Sequence, residues 1–261
     1  MEYLKLAIAA SLAAGKEIMA IYEGEIAFEL KQDQSPLTMA DNRSNEVIKD
    51  FLMTTELPIM SEEDSEIPYE IRKHWDRYWL VDPLDGTKEF IKKNGQFTVN
   101  IALVEFGIPV IGVVYAPAIG EIYWTGKDHL SYYSSVQNIE TEPSKLFEST
   151  HKIKASKQSK PYKVVKSLSH NNASDEIKLT ELLKGKTDVE IIEMGSSLKI
   201  CLVAKGIAQM YPRFGPTMEW DTAAGHAIAV NAGCSFLNME TNTGLTYNKI
   251  SLVNPPFLVE A

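Results

Sequence analysis

The 261 residues allow one large domain or two closely packed smaller ones, and 44% apolar with 23% charged residues exclude a disordered, collagenous or coiled-coil chain. A formal net charge of −9 disfavours capture of a nucleic-acid polymer, although bound cations can reverse the sign locally for a small phosphorylated ligand. The two cysteines, Cys201 and Cys234, stand far apart with no C-x-x-C or Cys/His cluster. That pattern argues against structural zinc and a disulfide framework, and for a reducing cytoplasm.

Residues 3–22 read as a helix, with Leu4, Ile8, Leu12, Ile18 and Ile21 spaced for one buried face. Within it, 6–14 has the look of a short apolar leader core, but Glu2 weakens a cationic start and Lys16-Glu17 resume the amphipathic pattern. No apolar run reaches the roughly 20 residues of a membrane span, so no transmembrane segment is expected. A strand over 26–31 and turn chemistry at Asp33-Gln34-Ser35-Pro36 come next. A second helix over 40–56 turns Val47, Ile48, Phe51 and Leu52 inward and ends by Pro58. A short buried strand, 57–60, leads to an acidic cluster, and 62–77 reads as a surface loop. Strands over 78–81, 98–105, 110–115 and 121–125, punctuated by Gly107 and Pro117, suggest an antiparallel meander. The stretch 126–160 is weakly patterned and reads as a seam. Beyond it, strands at 164–168, 189–192 and 208–211 alternate with helices at 175–183 and 197–205; a helix over 220–232 and a closing strand around 235–237 follow. The coarse picture is an α+β lobe over 1–150 and an α/β lobe over 151–261, with sheets sandwiched by helices.

The richest segment is Trp79-Leu80-Val81-Asp82-Pro83-Leu84-Asp85-Gly86-Thr87. A strand ends at an acid, Pro83 sets the backbone, and a second acid follows three positions later. Two carboxylates and the Leu84 carbonyl on one side of a loop are hard oxygen ligands suited to Mg2+. Amides of Gly86 and Thr87 at a helix start offer an anion site. Each part also has a plainer reading. Asp85-Gly86 can be a turn and Asp82 a cap; Ser61-Glu62-Glu63-Asp64 can be a solvated acidic loop, although adjacent acids repel without a cation. Asp221, in Glu219-Trp220-Asp221-Thr222-Ala223-Ala224-Gly225, can be an N-cap, and Asp41 a first-turn helix acid.

Together, Asp41, Glu62-Glu63, Asp82-Pro83-Leu84-Asp85-Gly86-Thr87 and Trp220-Asp221-Thr222-Ala223-Ala224-Gly225 resemble, in order, the signature of the lithium-sensitive, Mg2+-dependent phosphatase superfamily. That superfamily includes inositol monophosphatase and fructose-1,6-bisphosphatase. The wording is closer still to its 3'(2'),5'-bisphosphate nucleotidase branch. The likeness runs through Asp33-Gln34-Ser35-Pro36-Leu37-Thr38, Lys88-Glu89-Phe90-Ile91-Lys92, Gly195-Ser196-Ser197-Leu198-Lys199 and Tyr211-Pro212-Arg213-Phe214-Gly215-Pro216-Thr217. It fades over 127–160, and Glu219 stands where the branch has an apolar residue, an extra acid expected to bear on metal affinity or pH optimum.

The resemblance implies a layered αβαβα sugar-phosphatase fold and two or three Mg2+ ions, with Li+ inhibitory. Glu62, Asp82 and the Leu84 carbonyl would hold one ion, and Asp82, Asp85 and Asp221 a second. Glu63 stands with Glu62 near a weaker third ion and among the catalytic groups. Thr87, bonded to Asp41, would orient the attacking water and help take its proton. In the second lobe, Ser196, Lys199 and Arg213 match residues that engage the uncleaved phosphate, and His170 matches a position near the nucleotide. Lys199 and Arg213 read equally as surface charge, and His170 as a loop histidine. The implied reaction is release of phosphate from 3'-phosphoadenosine 5'-phosphate to give AMP, with its 5'-phosphosulfate analogue a further substrate, in sulfur assimilation. A small nucleotide bisphosphate, and no nucleic-acid polymer, is the expected partner of a monomer or homodimer in the cytoplasm or at the inner face of its membrane. Inositol monophosphatase is the alternative. Ser196-Ser197-Leu198-Lys199 also fits the S-x-x-K of serine acyl-enzymes, but no S-D-N or K-T-G follows.

Overall fold

In the computed structural model, which describes residues 2–24, 26–30, 36–126, 129–136, 143–168 and 173–261, the chain opens with helix α1 (Glu2–Tyr22). The hairpin β1 (Phe28–Leu30) and β2 (Pro36–Thr38) leads into α2 (Met39–Leu52), where Thr38 and Asp41 form a capping box. Strand β3 (Ile59–Ser61), the short helix α3 (Tyr69–Arg72), β4 (Arg77–Asp85) and α4 (Thr87–Ile91) follow. Then come β5 (Thr98–Glu105), β6 (Ile108–Ala116), β7 (Glu121–Thr125), β8 (Ser131–Ser135), α5 (Pro143–Glu148) and β9 (His151–Ile153). The second half holds β10 (Tyr162–Ser167), α6 (Ala173–Leu182), β11 (Val189–Met194), α7 (Leu198–Ala204), β12 (Met210–Arg213), α8 (Glu219–Asn231), β13 (Ser235–Asn238) and β14 (Phe257–Glu260).

Side-chain alternation along the central strands explains the layering. Trp79 and Val81 of β4, with Val99, Ile101 and Leu103 of β5, join the core under α1 and α2. Tyr78 and Leu80, with Ala102 and Val104, join the opposite core under α7 and α8. A strand buried on both faces reads as continuous apolar sequence, which is what 78–81 and 98–105 show. The first sheet runs β3-β4-β5-β6-β7-β8-β9, with β3 and β4 parallel and the other pairs antiparallel. The second runs β11-β10-β12-β14-β13, parallel at β11-β10-β12. Val165 of β10, Tyr211 of β12 and Phe257 of β14 face α7 and α8, while Val164, Met210 and Leu258 face Leu179 of α6. The order of layers is therefore helix, sheet, helix, sheet, helix, as expected.

The structure corrects several element readings. The expected loop over 62–77 contains α3, too short to show a helical period; its Arg72, 1% exposed, donates to oxygens of Ile67, Asn248, Lys249 and Ile250. Among described residues, 126–160 supplies β8, α5 and β9, so this stretch widens the first sheet. The closing strand is β14, beside β13. The turn at Asp33-Gln34-Ser35 lies outside the described residues. Among those described, no helix is long and apolar enough to cross a membrane.

Candidate active site

The site begins with an irregularity in β4. Asp82 pairs with Asn100 of β5, but the next pair is Asp85 with Thr98, so β4 carries one residue more across the jump. Pro83 has no amide to offer the ladder, and the Leu84 amide turns to Asp82 Oδ1 at 3.0 Å. Ser44 of α2 holds the bulge by donating to the Pro83 carbonyl at 2.7 Å. The extra residue brings both Asp82 and Asp85 to one side, lining a cavity of about 280 Å³ between the two sheets' ends. Gly86 follows with φ 93° and ψ 40°, and a Cβ there would lie 3.0 Å from the Gln96 carbonyl, so the turn into α4 requires glycine.

Glu62 extends from the end of β3, its amide bonded to the Val81 carbonyl at 3.1 Å. Asp221 sits in the first turn of α8, with Oδ2 accepting from the Met218 amide at 2.8 Å. Carboxylate oxygens of Glu62, Asp82 and Asp221 all lie within 4.8 Å of one another. Burial, then the charges of Glu62, Asp85 and Asp221, push Asp82 well above the usual carboxylate range. Burial, then Asp85 and Glu62, do the same to Asp221. Three converging oxygen donors that resist ionising together, with no nitrogen or sulfur among them, fit a hard divalent cation such as Mg2+. Asp85 lines the same cavity, with Oδ2 accepting from Ser197 Oγ at 2.8 Å. Leu84 is buried beside them. Glu63 is half-buried, its amide 3.5 Å from Ser61 Oγ. The third acid of that run points elsewhere: Asp64 pairs with the Lys49 ammonium of α2 at 2.8 Å, which relieves the crowding without a metal ion.

Asp41 is both a capping acid and a site residue. Its Oδ2 accepts from the Thr38 amide (2.7 Å) and hydroxyl (2.6 Å), leaving Oδ1 3.2 Å from Thr87 Oγ1. The same cavity is lined by Ser196, Lys199 and Arg213. Lys199 is not surface charge: it is 8% exposed, lies over the Tyr211 ring, and donates to the Ser196 carbonyl at 2.5 Å. Burial pulls its amine down to about 8, with Arg213 adding to the effect against the pull of Asp85, Glu89 and Asp221. Half-buried Arg213 donates from Nη2 to the Pro216 carbonyl at 3.0 Å, while its buried Nε has no partner among described residues. Because Lys199 bonds a carbonyl rather than the Ser196 hydroxyl, the S-x-x-K reading has no nucleophile–base pair behind it. His170 lies outside the described residues.

Two results were not foreseen. Glu219, expected to bear on the metals, is fully buried and turned away, accepting from the amides of Asn248 (2.7 Å) and Lys249 (3.1 Å) and from Lys249 Nζ (2.5 Å). It fastens the 248–249 loop to the start of α8. Ser197 and Glu89 also line the cavity, Asn100 bonds Ser197, and Gln96 accepts from the Gly195 amide, four neighbours absent from the expected set. The available signal was polarity in apolar company, as with Asn100 inside the buried run of β5.

The chain belongs to the inositol monophosphatase family, whose family model matches residues 1–259. Its relatives include the 3'(2'),5'-bisphosphate nucleotidase CysQ of Salmonella typhimurium, 47% identical over 253 residues covering 94% of each chain. The enzyme of the same name from Escherichia coli K12 is 44% identical over 253 residues, again 94% of each. Among solved structures, CysQ from Bacteroides thetaiotaomicron superposes with a TM-score of 0.88 at 43% identity, covering 100% of this chain and 97% of that one. The Thermotoga maritima IMPase, at 22% identity and a TM-score of 0.77 over 100% and 92%, shares the fold. These likenesses bear out the resemblance to the bisphosphate nucleotidase branch read from the motifs.

Proposed function

We propose that this protein is a Mg2+-dependent phosphomonoesterase that converts 3'-phosphoadenosine 5'-phosphate to AMP and phosphate. The observation that carries the reading is one cavity lined both by a carboxylate triad, Glu62, Asp82 and Asp221, and by the cationic Lys199 and Arg213. A substrate with two phosphates can engage both sets of groups; a monophosphate with a neutral ring engages one. The names of the 44–47% identical relatives support the same substrate.

Glu62, Asp82, Asp85, Asp221 and the Leu84 carbonyl would hold two cations, with Glu63 beside a third. When bound, the cations supply Lewis-acid polarisation and charge neutralisation at the phosphoryl centre. The protein's own groups do the positioning. Thr87 Oγ1 can accept a proton from an approaching water as its own passes to Asp41 Oδ1, and Thr38 holds Asp41 in place for that transfer. Lys199 and Arg213 orient the uncleaved phosphate by charge-assisted hydrogen bonds. Ser196 lines the cavity with them. Little covalent chemistry is required, because phosphoryl transfer is carried by alignment and electrostatics.

One assay at matched concentrations tests the substrate: 3'-phosphoadenosine 5'-phosphate should turn over at least tenfold faster than inositol 1-phosphate. Faster release from the inositol ester would return the protein to the monophosphatase alternative. In parallel, Asp82→Asn should abolish turnover while keeping the fold by circular dichroism; an active variant would refute the cation cluster.

A further inference from the structure

Ser197 stands at the start of α7 in the place of an N-cap, yet its hydroxyl makes no bond to the helix it precedes. A serine there ordinarily accepts from the second or third amide of its own helix. Here the hydroxyl reaches across the cavity floor instead. Its Oγ lies 2.8 Å from Asp85 Oδ2 and 2.7 Å from the Asp221 carbonyl, and accepts from Asn100 Nδ2 at 2.9 Å. Asn100 is in turn oriented by Thr98 Oγ1, which donates to its Oδ1 at 3.0 Å. Ser197 is 3% exposed, Asn100 1% and Thr98 fully buried, so water does not compete for these bonds.

The three groups come from three separate elements. Asp85 ends β4, Asn100 lies in β5, and Asp221 belongs to the first turn of α8. A hydroxyl has one proton, so Asp85 Oδ2 and the Asp221 carbonyl share it, and each feels a movement of the other. Asp85 Oδ2 thereby takes a hydrogen bond from protein, which fixes the orientation of a carboxylate that lines the cavity. We propose that Ser197 is a positioning residue that aligns the Asp85 carboxylate with Asp221 and so sets the affinity of the second cation. The inference rests on the two-cation reading above. It adds a residue outside the carboxylate set and assigns it no contact with substrate.

Cation binding measured separately from turnover tests this. Isothermal titration of the full chain with Mg2+ alone, no nucleotide present, should show one event in Ser197→Ala at wild-type affinity and a second weakened about tenfold, the usual effect of losing a group that orients a ligand. In turnover, the Mg2+ concentration for half-maximal rate should rise about tenfold, while KM for 3'-phosphoadenosine 5'-phosphate stays within twofold. Ser197→Thr, which keeps the hydroxyl, should restore both values. Asn100→Ser should weaken the second event in the same direction, and it carries the test if Ser197→Ala does not fold. Unchanged Mg2+ binding in the folded variants, with normal binding in the wild type, would overturn the role of Ser197 alone. A wild-type protein that binds no Mg2+ would instead overturn the cation reading itself.

Discussion

A lysine amine enclosed beside a phosphate subsite is worth most to an anion when protonated, and burial works against that state. Lys199 is drawn down to about 8 by desolvation, so the free enzyme loses this charge as pH rises past that point. A bound phosphate favours the ammonium form, so affinity should fall with rising pH and not the reverse. KM for the nucleotide bisphosphate is therefore expected to climb up to tenfold per unit above pH 8, with kcat less affected. Lys199→Met should raise KM about 30-fold at pH 7, the scale of a lost charged hydrogen bond, and flatten that climb. Initial-rate pH profiles of the two proteins check this. A climb that persists in Lys199→Met would assign it to another group.

At the scale of elements, the position of Asp221 depends on how closely α8 lies against the first sheet. Gly112 of β6 makes that approach possible. A Cβ there would stand 2.2 Å from the Ala224 carbonyl, in the turn of α8 directly after Asp221. Backbone cannot give way as a side-chain tip can, so Gly112→Ala must push the helix outward. A loss of about 3 kcal/mol is expected from overpacking, read as a lowered urea midpoint at constant slope. Weaker cation binding should accompany it, because Asp221 moves with the helix. The other end of the arrangement is held by the 245–254 loop, through Glu219 and through Asn254 Nδ2, which donates to the Met218 carbonyl at 2.7 Å. Glu219, two residues before Asp221, thus works in the fold by tying the 248–249 loop to the start of α8.

For the whole molecule, gathering buried carboxylates between two sheets makes stability depend on pH and on cations together. Asp82 and Asp221 are raised, so between the ordinary carboxylate value and their folded values the native state binds more protons than the unfolded one. Stability without cations should therefore fall as pH rises through that window. Binding a cation displaces those protons and reverses the trend. At a fixed Mg2+ concentration a hundredfold above Kd at pH 8, Mg2+ should add about 2.7 kcal/mol there, a rise of several degrees in Tm, and less at pH 5.5, where competing protons raise Kd. Differential scanning calorimetry with EDTA or Mg2+ at the two pH values decides it. Equal shifts at both would mean that the carboxylates hold no extra protons.

Much of the site was legible because its chemistry is local. The proline and glycine around Asp82 and Asp85 dictate a bulge and a tight turn within six residues, and the capping pair Thr38 and Asp41 is set by helix geometry three residues apart. Apolar runs at 78–81 and 98–105 announced strands covered on both faces, and with them a layered fold. The sequence by itself therefore determined the donor types, the turns that present them and the alternation that builds the layers. Tertiary structure alone decided where long or polar side chains point. Asp64, in a run that also reads as a solvated acidic loop, turns to Lys49, and Glu219, expected to bear on metal affinity, turns to Lys249. Lys199, which reads equally as a phosphate ligand and as surface charge, is buried over the Tyr211 ring, and the Ser197 hydroxyl turns to Asp85, 112 positions away. Local backbone preferences act over a few residues, whereas these pairings join groups from different layers, and only the packing of α2, α7 and α8 against the sheets brings them within reach.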